Sequence, residues 1–289
     1  MNKYIITTDT TCDLPEDYVQ KHNIGVLPLY YNMNGTVYGE GNVLEPKAFY
    51  DIMRKGAMPT TMAVNPDIAR KVFTRFLDEG YDILHIAFSS ALSGSCSVAG
   101  TVARELCDER AGAKIIVIDS LCASLGEGLL VHKAVMLQAA GKSIEETVDW
   151  LENNKLNLCH LFTVDDLHHL HRGGRVSKAT AIIGTLINVK PVLHVDNEGR
   201  LIPLNNVRGR KKALLSLVDT MGEKIKNYSG TNDIIFISHG DCLEDAQFVA
   251  DQIKERYGID NFLISYVSPT IGAHSGPGTV ALFFMGSEK

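Results

Sequence analysis

The chain has 289 residues, 45% of them hydrophobic, and a formal net charge of −6. That length is comfortable for two domains with real cores, and the acidic balance excludes a general nucleic-acid binder, which needs an excess of Lys and Arg. Six cysteines, at positions 12, 96, 107, 122, 159 and 242, make no C-x-x-C pair and no disulfide or zinc spacing, so reduced thiols in a cytoplasmic protein are expected.

In chain order, MNKYIITTD enters a strand pattern with no signal-peptide h-region. Residues 4–7 form a short strand ending in TDTTCDLP, where Asp9, Thr10, Thr11 and Asp13 supply turn and capping chemistry before a helix over 15–22. Residues 26–31 read as a strand, followed by an exposed Gly- and Asn-rich connection and a helix opened by Pro46 and closed by Gly56. The segment AMPTTMAVNPD precedes a helix over 67–78, and its Thr60 and Thr61 are candidates to face a ligand. Ile83, Leu84, Ile86 and Phe88 then mark a strand buried on both faces. It empties into SSALSGSCS, which places Ser93, Gly94, Ser95 and Ser97 before a helix over 98–107. Free backbone N–H groups and the positive end of the helix dipole favour an anion at such a turn, while Ser there also serves as an ordinary cap. A strand over 114–118 ends in Asp119 and Ser120, and a long helix follows over 124–140. This alternation predicts a parallel, doubly wound, Rossmann-like sheet with its site beyond the carboxyl ends of the strands.

Gly141 stops one helix, and Ser143 with Glu146 makes a capping box for the next, over 143–154. A boundary here gives an N-terminal α/β domain, 1–152, and a C-terminal α+β domain, 153–289. The second half shows strand patterns at 158–164, 191–195, 234–238, 262–267 and 279–285, with helical stretches at 179–189, 211–226 and 243–257. The N-E-G turn at 197–199 predicts a hairpin, hence a mixed sheet. The longest apolar segment, 179–189, is too short to span a bilayer, so no integral membrane association is expected.

Three constellations carry candidate chemistry. In FTVDDLHHLHRGGRVSK, His168 and His171 lie one helical turn apart without a third ligand nearby, so no metal is expected. Arg172, Arg175 and Lys178 form a basic corner, and RGRKK at 208–212 a second. Brought together they would suit phosphate or an acidic partner, and left apart they are solvated charge. In IGAHSGPG the glycines let a backbone pass close to a ligand beside His274, or only shape a tight loop. No G-x-S-x-G, P-loop, G-x-G-x-x-G or H-E-x-x-H pattern occurs, so the chain lacks machinery for handling ATP alone. A serine esterase or acyl transferase using Ser93 or Ser95 with His274 is the competing reading.

Taken together, TDTTCDLP, the Thr60-Thr61 pair, SSALSGS, FTVDDL with RGGRVSK, RGRKKA, SHGD at 238–241 and GAHSGPG resemble the DegV family over nearly the whole length. Members of that family known as FakB are the fatty-acid-binding subunits of a bacterial fatty acid kinase. The resemblance implies a two-domain α/β fold with a long-chain fatty acid between the domains and no other cofactor. It places Thr61, Ser93 and Gly94 at the fatty acid carboxylate with His274 close by, and turns Arg172, Arg175, Arg208 and Lys211 toward a kinase subunit that supplies ATP and metal. The family continues the threonine as T-S-Q-P, whereas here Met62, Ala63 and Val64 follow Thr61. Ile182, Ile183, Leu186 and Ile187 are candidates to line the tail tunnel, or are plain core. A tail burying about fourteen CH₂ groups contributes on the order of 11 kcal/mol before association costs, so the head group needs only orientation.

Overall fold

The hydrophobic runs of the first half pair in parallel. In this computed structural model, which describes residues 3–177 and 188–289, strands β1 (Tyr4–Asp9), β2 (Gly25–Leu27), β6 (Asp82–Ala87) and β7 (Ile115–Asp119) form a sheet of order β2-β1-β6-β7. Every residue of β1 and β6 is buried, as central strands covered on both faces require. Helices α3 (Pro66–Asp78) and α4 (Ser95–Glu109) cover one face, where Phe73, Phe76, Val102 and Leu106 pack on Ile5 and Ile83.

The strand expected over 26–31 is two strands. Pro28 has no N–H for a ladder, so β2 ends at Leu27, and β3 (Tyr30–Met33) joins a separate antiparallel sheet with β4 (Thr36–Tyr38) and β5 (Thr60–Met62). Asn34 and Gly35, both at positive φ, close the β3–β4 hairpin, so the Gly- and Asn-rich connection contains a strand. This small sheet packs on helix α2 (Pro46–Arg54) through Tyr31, Phe49 and Tyr50.

The second half supplies a six-stranded mixed sheet from β8 (Leu158–Thr163), β9 (Val189–Val195), β10 (Leu201–Arg208), β11 (Ile235–His239), β12 (Phe262–Tyr266) and β13 (Val280–Met285), in the order β10-β9-β8-β13-β11-β12. The predicted hairpin is present as the antiparallel β9–β10 pair. Helices α8 (Arg210–Lys226) and α9 (Leu243–Tyr257) cover its outer face. Lys178 and the stretch with Ile182, Ile183, Leu186 and Ile187 lie outside the described residues, and Val189, expected to end a helix, opens β9.

Helix α5 (Leu125–Ala139) joins the two halves. Its Leu125, Leu129, Leu130 and Val131 share one cluster with Ile6, Leu84 and Ile118 of the parallel sheet and Phe236, Ala281 and Phe283 of the mixed sheet. A helix apolar all round is what burial between two sheets demands. The next helix, α6 (Ile144–Asn154), carries the predicted Ser143–Glu146 capping box.

The segment IGAHSGPG also departs from expectation. Most of it is a helix, Pro269–Ser275, which we call α10, with α7 being His168–Arg172. Pro269 sits at the first helical position, where its missing N–H costs nothing, and Gly276 at φ 79° ends the turn.

Candidate functional site

The serine-rich turn after β6 is fastened from three sides. The Phe88 N–H donates to Asp9 Oδ2 at 2.9 Å, the Ser89 N–H to the Cys122 carbonyl at 2.9 Å, and the Ser89 hydroxyl to the Gly199 carbonyl at 3.0 Å. Gly94 is the N-cap of α4. Ser93 Oγ accepts the Ser95 N–H at 3.2 Å and lies 2.9 Å from Ser95 Oγ, which accepts the Val64 N–H at 3.1 Å. Ser93 is therefore a cap and also a wall of the pocket described below. Among the described residues no hydrogen bond links Ser93 or Ser95 to an imidazole.

Thr61 stands in the middle of β5, paired with Tyr31 of β3. Its hydroxyl lies 2.8 Å from Nε2 of His274 on the last turn of α10. Burial, then the charges of Arg175 and Arg172, push the His274 pKa down to about 4, so the ring is neutral near pH 7. Gly173 explains how the ring fits: a Cβ there would overlap it. The neighbouring arginines are tied to backbone. Arg172 donates to the Ala273 carbonyl at 3.3 Å, and Arg175 donates to the Leu92 carbonyl at 3.1 Å and to the Gly173 carbonyl.

The remaining glycines of this region serve packing between segments. A Cβ on Gly276 would meet the His169 ring, one on Gly278 the Asp165 carboxylate, and one on Gly272 the Tyr50 ring. The GAHSGPG and FTVDDLHHLHRGGR segments thus lie against each other, and these three glycines make room for protein side chains. Of the second basic corner, Arg208 and Lys211 are exposed, with the Lys211 ammonium 5.2 Å from the centre of the Phe248 ring. Arg210 is engaged by Asp245 at 2.7 Å and Asp165 at 3.6 Å. Arg172 and Arg175 instead cluster with His274.

Thr61, Ser93, Gly94, Arg175 and His274 line one narrow cavity of about 140 Å³. Its other walls are mainly apolar, with Phe88 and Leu92 from the turn, Phe162 and Ala281 from β8 and β13, Ile271 from α10, and Ala123, Leu170 and Leu201. The space is roughly ten times what one water needs. A cavity with mainly apolar walls and polar side chains set among them suits an amphiphile with a small polar head and an apolar tail.

A network of buried acids joins these elements, with Asp9 and Asp13 from the turn marked in the sequence and Glu127, which was not singled out there. Glu127 on α5 accepts from Thr8 Oγ1 at 2.8 Å, Thr11 Oγ1 at 3.0 Å and the Asp9 N–H at 3.3 Å. Asp13 accepts the Ser268 N–H at 3.1 Å and the Ser124 hydroxyl, and Ser124 also bonds Ser238 at 2.8 Å. Burial raises all three carboxyls, with the Asp9 charge adding to the shift of Glu127 and the Asp13 pKa pushed up to about 7. The TDTTCD turn, serine of SHGD and α10 are thereby linked. Glu127, apolar on both sides in LGEGLL, was the available signal. No group of three or more His, Cys, Asp or Glu side chains suited to a metal occurs among the described residues, and none of their helices is long and apolar enough to cross a membrane.

Comparison with known proteins agrees with this architecture. A DegV domain-containing protein of Clostridium perfringens is 42% identical over 291 residues, covering 100% of this chain and 99% of its own. A DegV family protein of Thermus thermophilus, described as fatty acid binding, superposes with a TM-score of 0.87 at 29% identity, over 99% of this chain and 100% of its own. DegV of Bacillus subtilis, described as a fatty acid binding protein, gives 0.86 at 29% identity with the same coverage. With the DegV family model matching residues 3–287, the chain belongs to the DegV family.

Proposed function

We propose that this protein is a fatty-acid carrier that orients a carboxylate for phosphorylation by a separate kinase subunit and then holds the acyl phosphate. The observation that carries the proposal is that Thr61, Ser93, Gly94 and His274 line one mainly apolar cavity, with the Thr61 hydroxyl 2.8 Å from the His274 ring. The fatty-acid binding described for the Thermus thermophilus and Bacillus subtilis relatives supports it. In this account the ligand lies between an N-terminal unit, residues 1–152, and a C-terminal unit, residues 153–289. The carboxylate meets hydroxyl donors and the N-terminus of α4, within the field of the Arg172 and Arg175 charges that also lowers the His274 pKa. Neutral donors orient the head group while leaving an oxygen able to attack a phosphoryl group. The exposed Arg172, Arg208 and Lys211 are the charges offered to the kinase, with Arg175 held at the cavity, and the protein works in the cytoplasm.

The esterase alternative is weaker because Ser93 pairs with Ser95 and, among the described residues, makes no hydrogen bond to an imidazole. Incubating the fatty-acid-loaded protein with ATP and Mg²⁺, with and without a fatty acid kinase subunit, separates the two. Acyl phosphate should form only when the kinase is present. Formation by this chain alone, or ester hydrolysis lost on His274→Ala, contradicts the proposal.

A further inference from the structure

The cavity holds one polar ring that carboxylate binding leaves unused. His160 on β8 is 5% exposed and lines the same cavity as Thr61 and His274. Its ring lies against Phe283 and Phe162, with centroids 4.6 and 5.5 Å away. Its Nδ1 is buried without a hydrogen-bond partner among the described residues. Leaving such a group unpaired is unfavourable, and a leucine of similar volume would avoid that.

Its place along the cavity follows from the strand. β8 runs from Leu158 to Thr163 and leads into α7 and Arg175, which belongs to the head-group cluster. At about 3.3 Å per residue, His160 sits roughly 10 Å back from the strand end, beside the Phe283 opposite it on β13. Burial, then the charges of Lys289 and His194, keep the ring neutral. A neutral imidazole offers one N–H donor and one acceptor nitrogen. A hydroxyl matches both, and a ketone matches the donor.

We infer that His160 forms a second polar position in the pocket, one that takes a hydroxyl or keto oxygen carried on the chain of the bound fatty acid, away from its carboxylate. This rests on the fatty-acid reading above and adds a ligand class to it, the mid-chain oxygenated fatty acids.

The test uses the delipidated full-length protein and measures displacement of a fluorescent fatty acid by stearic acid and by hydroxystearic acids with the hydroxyl at successive carbons. At least one hydroxystearate should bind as tightly as stearate or more tightly. His160→Leu should weaken that ligand about tenfold relative to stearate, because the hydroxyl then has no partner. His160→Gln, which keeps a donor and an acceptor, should retain the preference and guards against a leucine variant that misfolds. If every hydroxystearate is weaker than stearate by the same factor in the parent and in His160→Leu, the inference is wrong. If stearate itself fails to bind the parent protein, the fatty-acid reading falls and this inference with it.

Discussion

The Thr61 hydroxyl and Nε2 of His274 lie 2.8 Å apart although 213 positions separate them in sequence. β5 presents one and α10 the other, so the pair exists only when the small sheet and the C-terminal segment have assembled. The ring is neutral above about pH 4, and fatty-acid retention should therefore not change through His274 titration between pH 6 and 8. His274→Ala and Ser93→Ala should each weaken retention about tenfold, the scale of one hydrogen bond to a charged group. Competition binding on delipidated protein measures this, and unchanged affinity in both variants would remove these residues from the head-group site.

Gly173→Ala separates position from stability. The backbone at Gly173, φ −72° and ψ −6°, accepts an alanine without strain, yet the new methyl group would displace the His274 ring. Affinity should fall about tenfold while the unfolding free energy changes by less than about 1 kcal/mol. An alanine variant with parental affinity would show that the ring position is not needed.

Glu127→Leu should destabilise the fold by about 3 kcal/mol, because the Thr8 and Thr11 hydroxyls and the Asp9 N–H lose a buried acceptor. The Thr8 hydroxyl also donates toward the Ile86 carbonyl at 2.9 Å, which softens its share of the loss. The urea midpoint of unfolding reports the effect.

Asp13 makes a pH prediction with a definite sign. Its folded pKa, about 7, is above its ordinary value of 3.8, because burial disfavours the charged form. The stability it contributes is fully present below about pH 4 and is lost as pH rises through about 7, with a slope of at most about 1.4 kcal/mol per pH unit. Asp9 and Glu127 are raised in the same direction. Asp13→Asn, tolerated at φ 55°, should flatten the part of the slope due to Asp13 in urea unfolding at pH 5 and pH 8. Equal slopes in parent and variant would contradict this.

Much of this was legible in the sequence wherever the signal was local. Alternating strands and helices, the Ser143–Glu146 capping box and the N-E-G hairpin followed from spacing and turn chemistry, and they appear as expected. The misses have physical reasons. Pro28 broke a run that hydrophobicity alone joined, and the Asn34-Gly35 turn hid β4, a three-residue strand that pairs with β3 in a sheet whose third strand, β5, lies distant in sequence. The helix at Pro269–Ser275 was masked by glycines that here serve close packing against Tyr50 and His169. Gly173, Glu127 and His160 matter through what they touch across the fold, and no spacing rule reports that.

The most direct measurement of the central claim is mass spectrometry of the organic extract of the purified protein. The account predicts a long-chain fatty acid at about one molecule per chain, reduced in Ser93→Ala and His274→Ala. An extract without fatty acid, from protein that also fails to bind any fatty acid supplied to it, would contradict it.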